Sequence, residues 1–161
     1  MSLEITSPAF DAGHAIPTEY TCEGKNVSPP LMWRGLPKQT SSLVLLCDDP
    51  DAAPGPSGPF THWVLYNLPA DLKGLPKGAS SESGTSQVGT EGRNSFGNTS
   101  YEGPCPPSGK AHRYVFRLYA LKDDPNLPPG ANREQVLQGI KDHVLDQAVH
   151  LGKYASTGQS E

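Results

Sequence analysis

Residues Ala111–Leu121 have the sequence AHRYVFRLYAL, in which polar groups at the front give way to an apolar tail. Side chains on a β-strand alternate between its two faces, so His112 and Tyr114 share one side and Arg113 lies on the other. The pattern predicts a strand whose tail belongs to the core and whose leading end presents an imidazole and a phenol together. We expect Arg113 to make a structural salt bridge or hydrogen bond.

The loop before this strand is stiff. Residues 103–109 have the sequence GPCPPSG, with prolines enclosed by a glycine at each end. Proline fixes a backbone dihedral angle, so a loop of this composition holds its shape. A stiff loop that leads into a strand starting with histidine is suited to fixing a binding group in place.

Two other segments predict core strands. Ser42–Cys47, SLVLLC, is a continuous apolar run, which is typical of a strand buried on both faces. Phe60–Leu68, FTHWVLYNL, is the second, and alternation places on one face His62, Val64, Tyr66 and Leu68. Leu3–Thr6 and Leu31–Arg34 predict shorter strands, and the Ser-, Gly- and Thr-rich segment 69–103 predicts an extended loop.

The C-terminal part of the chain predicts one amphipathic helix. Asn132 and Gln135 have the spacing of a capping box at its start, and Gly152 with Lys153 forms a stop signal. Apolar residues recur between them at helical intervals, namely Val136, Ile140, Val144, Ala148 and Leu151. Residues 155–161 are small and polar, and we expect a disordered tail there.

Length and composition predict a single, mainly β domain over residues 1–154. The 161 residues fit one domain, since compact domains of about 100–150 residues are the commonest. The chain contains 17 glycines and 17 prolines, too many for a helical bundle and typical of a turn-rich β protein. The helix after residue 132 is then expected to close a β domain.

Charge and hydropathy exclude two classes of partner. The net charge is −4 and no basic stripe is present, which argues against binding to nucleic acid. No apolar run approaches the roughly 20 residues that cross a bilayer, so we expect no integral membrane association. The first residues, MSLEITSPAF, lack the features of a signal peptide, and we therefore expect a cytoplasmic protein.

The three cysteines, Cys22, Cys47 and Cys105, match neither a CxxC motif nor a zinc-finger spacing. Cys47 lies in a predicted buried strand and is expected to behave as a small apolar residue. Cys22 and Cys105 lie in loops that can approach each other, which would allow a disulfide. A reducing cytosol would disfavour that bond, so the sequence leaves the pairing open.

Polar side chains collect at the ends of the predicted core strands. Asp49 and Asp51 follow the first strand, His62 begins the second, and His112 and Tyr114 begin the third. If consecutive strands are antiparallel, the end of one lies beside the start of the next, and the five side chains share one mouth. Imidazole and phenol groups donate hydrogen bonds to an anion, and aspartates fix the histidine tautomers. Because imidazolium would recognise the anion, we expect phosphate to bind more weakly above neutral pH.

Several spaced motifs in the chain resemble those of the phosphatidylethanolamine-binding proteins. In order, they are Asp49-Pro50-Asp51-Ala52, Thr61-His62-Trp63-Val64, Gly103-Pro104 through Pro107 with Gly109, and His112-Arg113-Tyr114. The chain is most similar to the compact bacterial and archaeal branch that is related to Raf kinase inhibitor proteins. The resemblance covers nearly the whole chain, from Thr6-Ser7-Pro8-Ala9-Phe10 to the C-terminal helix.

The resemblance implies a central antiparallel sheet, a second smaller sheet, and a pocket for anionic groups such as phosphate, a phosphorylated headgroup or a carboxylate. By residue, it implies that the pocket contains Asp49, Asp51, His62, His112 and Tyr114, with Pro104 in its wall. It also suggests a homodimer. We expect a non-enzymatic binding protein that needs no cofactor and that regulates a partner protein.

One alternative function is a hydrolase in which His62 or His112 acts as general base and an aspartate orients it. Its weakness is the nucleophile, because Cys105 lies between prolines and Ser108 has no elbow motif around it. Metal-assisted hydrolysis through the same histidines and aspartates lacks a recognised ligand spacing.

A second alternative is inhibition of a kinase or a protease through protein–protein contact. Only the name of the family implies it, and no residue in the sequence identifies such a partner.

Overall fold

The computed structural model describes residues 2–52, 59–80, 89–106 and 110–156. Its strands are β1 (Glu4–Thr6), β2 (Leu31–Arg34), β3 (Ser42–Asp49), β4 (Phe60–Pro69), β5 (Gly74–Leu75), β6 (Thr90–Glu91), β7 (His112–Leu121) and β8 (Val144–Tyr154). Helix α1 covers Arg133–Ile140, and a short 3-10 turn covers Thr18–Tyr20.

The strands form two antiparallel sheets. The central sheet has five strands in the order β6-β4-β3-β7-β8, and the smaller sheet has three in the order β1-β2-β5. β7 lies between β3 and β8, with Phe116 paired to Cys47 on one side and to His150 on the other. The predicted mainly β fold, with a central sheet and a second smaller sheet, is therefore confirmed.

β3 is buried along its whole length, as its continuous apolar run predicts. Its alternate residues enter two different clusters: Leu43, Leu45 and Cys47 face the smaller sheet, and Val44 and Leu46 face α1. We call the first cluster the inter-sheet core. We call the second the helix-covered cluster, and its buried members are Val44, Leu46, Val64, Tyr66, Leu121, Ala131, Val136 and Ile140.

β4 departs from regular alternation at its start. Cys47 pairs with Trp63 and Asp48 pairs with Thr61, so His62 is an extra residue opposite no partner on β3. A bulge of this kind redirects a side chain. As a result, the His62 side chain does not continue the alternation of β4. Its ring lies instead on the face of the sheet that carries Tyr114.

A second irregularity in β4 involves Asn67, which has a positive φ of 55°. Val64 and Tyr66 belong to the helix-covered cluster, whereas Leu68 belongs to the inter-sheet core. The prediction that His62, Val64, Tyr66 and Leu68 share a face is therefore wrong. Two bulges in one strand shift the alternation twice, and neither leaves a signal in the hydrophobic pattern.

The predicted C-terminal helix starts where expected but is much shorter. The Asn132 side chain accepts a hydrogen bond from the Gln135 N–H at 2.8 Å, and the Gln135 side chain accepts one from the Asn132 N–H at 2.9 Å. This confirms the capping box. The helix, however, ends at Ile140, so the prediction that it continues to Leu151 is wrong.

The second half of that segment is β8, which pairs antiparallel with β7 from Val144 opposite Leu121 to Tyr154 opposite His112. The sequence VLDQAVHLGKY also alternates, and towards its end His150, Gly152 and Tyr154 are buried. A Cβ at Gly152 would lie 2.6 Å from Ile16 Cγ1 and 2.7 Å from Phe10 Cε2. Gly152, which resembles a helix stop signal in the sequence, is therefore a glycine that close packing within the sheet requires.

β8 also joins distant parts of the chain. Beyond β7, its far end pairs with the segment 13–16: the Gly13 N–H donates to Leu151 O at 2.7 Å, and the Ile16 N–H donates to Lys153 O at 2.7 Å. Lys153 returns a bond from its N–H to His14 O at 3.0 Å. The C-terminal strand is therefore held between β7 and an N-terminal segment.

The segment 69–103, predicted as an extended loop, contains the short strands β5 and β6, and its residues 81–88 lie outside the described residues. Of the predicted disordered tail 155–161, residues 157–161 lie outside the described part. Ser156 is described, and its hydroxyl donates to Glu23 at 3.1 Å. In the described parts of the chain, no helix is both long enough and apolar enough to cross a membrane.

Candidate functional site

The end of β3 and the starts of β4 and β7 meet around an open pocket of about 300 Å³. Its described lining consists of Asp49, Ala52, Phe60, His62, Phe96, Cys105, Pro106, His112 and Tyr114. Four of the residues selected from the sequence, Asp49, His62, His112 and Tyr114, are therefore brought together. β3 lies between β4 and β7 and is antiparallel to both, which places the end of β3 and the starts of β4 and β7 at one end of the sheet.

Asp49 and His112 form a buried pair in the pocket. The His112 Nδ1–H donates to Asp49 Oδ2 at 2.7 Å, and the two residues are 8% and 3% exposed. The other carboxylate oxygen accepts backbone N–H groups from Asp51 at 2.8 Å and Ala52 at 3.1 Å. With Nδ1 occupied by the carboxylate, the Nε2 atom of His112 is left for a ligand.

His62 is oriented by the loop before β7. Its Nδ1–H donates to Glu102 O at 2.7 Å, and the Glu102 N–H donates to His62 O at 3.1 Å. Burial lowers the pKa of His62 below its usual 6.5, although the Glu102 carbonyl and the Asp49 charge act in the opposite direction. The ring is therefore favoured in its neutral form, with Nε2 as an available acceptor.

Tyr114 is the third polar group of the pocket, and its ring lies near both histidines. The ring centroids are 5.3 Å from His62 and 6.4 Å from His112. The residue is fully buried, yet among the described residues its hydroxyl is the only buried side-chain N or O without a well-formed hydrogen bond. Burial raises the pKa of Tyr114, and so do the nearby Asp49 charge and an imperfect side-chain hydrogen bond to Asp49. The hydroxyl therefore keeps its proton and remains a donor.

An aromatic wall lies beside these polar groups. Phe96 contacts the edges of Phe60 and His62, with ring centroids 4.9 Å and 5.6 Å away, and it is 45% exposed. Neither phenylalanine was predicted from the sequence to line the pocket. Phe60 precedes His62 by two residues and so had a positional signal, whereas Phe96 lies in a segment without hydrophobic periodicity and had none.

Asp51 is not part of the described lining. Its carboxylate accepts two hydrogen bonds from the Arg113 guanidinium, at 2.9 Å and 3.0 Å, and one from the Arg113 N–H at 2.8 Å. These bonds lower the pKa of Asp51 from 3.8 to about 2. Arg113 thus makes the structural salt bridge that its position on β7 predicts, and it draws Asp51 away from the pocket.

Pro104 is buried but likewise lies outside the described lining, and its carbonyl accepts the Cys22 N–H at 3.1 Å. The wall is formed instead by the next residues, Cys105 and Pro106. The stiff loop therefore reaches the pocket as its sequence suggests, but one to two residues further along.

Cys22 and Cys105 form a disulfide with their Cα atoms 5.5 Å apart, which settles the pairing that the sequence left open. Cys105 is consequently not a thiol nucleophile, and Ser108, the other residue considered for that role, lies outside the described residues. Cys47 is free and buried, and burial followed by the charges of Asp48 and Asp49 raises its pKa. Among the described side chains, no group of three or more His, Cys, Asp or Glu is arranged to hold a metal ion.

Comparisons with known proteins agree with this architecture. The sequence model of the family described as phosphatidylethanolamine-binding protein matches residues 6–155. A UPF0098 protein of Methanothermobacter thermautotrophicus is 45% identical over 152 residues, covering 94% of this chain and 98% of the relative.

Two crystal structures of similar proteins share the fold over nearly their whole length. YbcL of E. coli, described as a member of the mammalian PEBP family, has a TM-score of 0.86 at 30% identity, with 97% of this chain and 99% of that chain covered. A phosphatidylethanolamine-binding protein homolog from Chlamydia trachomatis has a TM-score of 0.85 at 36% identity, with 96% and 98% covered. The chain belongs to the phosphatidylethanolamine-binding protein family.

Proposed function

We propose that this protein is a non-enzymatic binding protein whose pocket takes a phosphate-like or other anionic group. The observation that carries the proposal is the Tyr114 hydroxyl, a buried donor without a well-formed hydrogen bond among the described residues. A buried polar group without a partner costs about 1–3 kcal/mol, so such a group needs a reason. An acceptor oxygen of a bound ligand supplies that reason.

The two histidines support the same ligand chemistry. Each uses Nδ1 for a protein acceptor, His62 for Glu102 O and His112 for Asp49, so each can offer only Nε2 to a ligand. An Nε2 atom donates to an anion when the ring is protonated. Because burial lowers the pKa of His62, we infer that an anion enters together with a proton, which places imidazolium beside the negative charge.

Among its described residues, the pocket offers these groups without an obvious nucleophile. Cys105 is bonded to Cys22, and Asp49 is bonded to His112 and to two backbone N–H groups. A hydrolase would need a positioned nucleophile or an activated water in addition to the histidines. Binding is therefore the function that the described site supports best.

Other parts of the proposal remain predictions from the sequence. They are the cytoplasmic location, the homodimer, the regulation of a partner protein, and the choice among phosphate, a phosphorylated headgroup and a carboxylate as the physiological group.

The proposal is tested by titrating inorganic phosphate into the purified protein by calorimetry and comparing the wild type with Tyr114→Phe. This change removes only the hydroxyl, which has no well-formed hydrogen bond among the described residues. A hydrogen bond to a charged group contributes about 1.5–3 kcal/mol, so we expect Kd to rise about 10- to 100-fold.

Tyr119→Phe is the matched control, because Tyr119 lies on the same strand and is only partly buried, on the opposite face. We expect it to bind phosphate with the wild-type Kd. If the wild type does not bind phosphate, or if both tyrosine variants bind equally well, the pocket is not the anion site.

A further inference from the structure

The loop that precedes β7 is attached to the turn around residues 20–26 by several bonds. The Cys22 N–H donates to Pro104 O at 3.1 Å, the Gly103 N–H donates to Asn26 Oδ1 at 2.7 Å, and the Tyr101 hydroxyl donates to Tyr20 O at 2.7 Å. Residues 101–104 are therefore fixed without help from the disulfide. Glu102, which orients His62, lies inside this fixed part.

The attachment of this loop changes at Cys105, the first residue after the fixed part. In the described parts of the chain, Cys105, Pro106, Lys110 and Ala111 make no hydrogen bond, and Cys105 is held by its disulfide to Cys22. Of the described residues of this loop, Cys105 and Pro106 are the two that line the pocket. Among the described residues of this wall, Pro106 is held by burial and Cys105, which is exposed, by its disulfide.

The three cysteines differ in their access to reagents. Cys22 and Cys105 are both exposed, so a reductant in solution can reach their bond. Cys47 is fully buried, and burial with two neighbouring aspartates raises its pKa, which keeps its sulfur protonated and unreactive. Thiol–disulfide exchange in this protein is consequently directed to the pocket wall.

We propose that the Cys22–Cys105 disulfide is a redox site that controls anion binding in the adjacent pocket: the oxidised protein binds, and reduction by a dithiol weakens binding. The inference rests on the proposed function and adds a regulation to it. In the reaction, one thiolate of the dithiol attacks a protein sulfur, the S–S bond breaks, and the released cysteine thiolate takes up a proton. The second thiolate of the reductant then displaces the other cysteine, so two electrons pass to the protein and the dithiol becomes a disulfide.

The expected size of the effect follows from what reduction releases. Residues 101–104 and the His62–Glu102 bonds stay in place, so the pocket is loosened on one side and is not dismantled. Anion binding must then re-order Cys105, which the disulfide no longer holds. Fixing the backbone of about one residue corresponds to roughly a tenfold change in affinity. We therefore expect reduction to raise the Kd for phosphate by about tenfold.

The test is a calorimetric titration of inorganic phosphate into the oxidised protein, the protein reduced with dithiothreitol, and the same sample after reoxidation. Dithiothreitol is uncharged and does not compete for an anion site. Native alkylation with iodoacetamide should label Cys22 and Cys105 only after reduction and should leave Cys47 unlabelled. We expect weaker binding in the reduced state and recovery after reoxidation.

Two variants accompany the test. The double variant Cys22→Ser/Cys105→Ser should match the reduced protein and should not respond to dithiothreitol. Ile140→Ala opens a cavity in the helix-covered cluster, away from the pocket, and controls for a general loss of stability. It should keep the wild-type Kd for phosphate.

The outcomes separate the inference from the proposed function. A Kd that changes by less than about twofold on reduction overturns the redox control and leaves anion binding intact. An equal weakening by Ile140→Ala, or the loss of near-ultraviolet circular dichroism on reduction, also overturns it, because the disulfide would then support the whole fold. If the oxidised protein binds no phosphate, the proposed function fails and this inference fails with it.

Discussion

Two tyrosines of the central sheet are both fully buried but have different surroundings. In the helix-covered cluster, the Tyr66 hydroxyl donates to Pro128 O and accepts the Ala131 N–H at 3.1 Å. In the pocket, the Tyr114 hydroxyl has no well-formed hydrogen bond with any described residue. The same side chain, at the same degree of burial, is fully bonded in one region and not in the other.

One sheet thus contains two kinds of buried tyrosine: one whose hydroxyl the chain satisfies and one whose hydroxyl it leaves without a well-formed hydrogen bond among the described residues. In the helix-covered cluster the Tyr66 hydroxyl is satisfied without a ligand, because Pro128 and Ala131, in the chain just before α1, bond to it. At the pocket end, Glu102 O and Asp49 orient His62 and His112, whereas the Tyr114 hydroxyl has no well-formed hydrogen bond among the described residues. Among buried polar groups, those that the chain does not satisfy are the better indication of a ligand site.

The strongest test of this comparison is the stability of the two phenylalanine variants. Tyr66→Phe leaves the Ala131 N–H and the Pro128 carbonyl without their partner, and we expect the free energy of unfolding to fall by about 1–3 kcal/mol. Tyr114→Phe removes a hydroxyl without a well-formed hydrogen bond among the described residues, so it should leave the free energy of unfolding unchanged or raise it. Chemical denaturation in phosphate-free buffer measures both values.

Phosphate provides the control for these measurements. It should stabilise the wild type and Tyr66→Phe, and it should stabilise Tyr114→Phe less, because a ligand stabilises only the state that binds it. Equal destabilisation by the two substitutions would break the comparison, since Tyr114 would then have a structural partner.

The next effect is a pH dependence that comes from His62. Its lowered pKa means that, just below pH 6.5, the unfolded chain binds a proton that the folded protein does not. The free energy of unfolding should therefore fall as the pH drops below 6.5, until the pH passes the lowered pKa. A bound anion favours imidazolium, so anion affinity should change in the opposite direction and weaken as the pH rises, by up to about tenfold per pH unit for one proton.

Sulfate is the suitable probe for this pH dependence, because it stays a dianion throughout the range and any change reports the protein. A calorimetric titration in buffers of different ionisation enthalpy also counts the protons taken up. If the affinity for sulfate does not depend on pH and no proton is taken up, imidazolium does not bind the anion. Tyr114 would then be the main hydrogen-bond donor.

The smallest expected effect concerns Asp51, which the sequence assigned to the pocket and the structure pairs with Arg113. Asp51→Asn breaks an ion pair in which the Arg113 side chain is 54% exposed, so we expect a loss of at most about 1 kcal/mol at neutral pH. The pKa of Asp51 is about 2 in the folded protein instead of 3.8. The ion pair therefore contributes to the free energy of unfolding above pH 3.8, and this contribution is lost as the pH falls towards 2.

Asp51→Asn should leave phosphate affinity unchanged, whereas Asp49→Asn, which alters the partner of His112, should not. Calorimetric titration of both variants makes the comparison. If Asp51→Asn loses as much affinity as Asp49→Asn, Asp51 belongs to the anion site.

The sequence predicted the central strands well, because their signal is strong. β3 is a continuous apolar run, and the alternation of β7 places His112 and Tyr114 on one buried face with Arg113 opposite. These two residues meet Asp49 and His62 because β3 lies between β4 and β7 and is antiparallel to both, a strand order that the sequence did not predict.

Other features could not be predicted because they depend on events that the local pattern does not record. The bulge at His62 inserts one residue without changing the type of residue around it. Segment 144–154 fits a helical period and also a strand period, and pairing with β7 decides in favour of the strand. Asp51 lies two residues from Asp49, so the sequence could not tell which carboxylate the arginine would take.

The position of β8 between β7 and residues 13–16 has a consequence for how the chain is made. Until residues 144–154 leave the ribosome, the outer edge of β7 is unpaired and the segment 13–16 has no strand to join. The N-terminal part must therefore wait for a partner that is synthesised more than a hundred residues later. Contacts so distant in the chain form slowly, and an unpaired edge is open to association with other chains in the meantime.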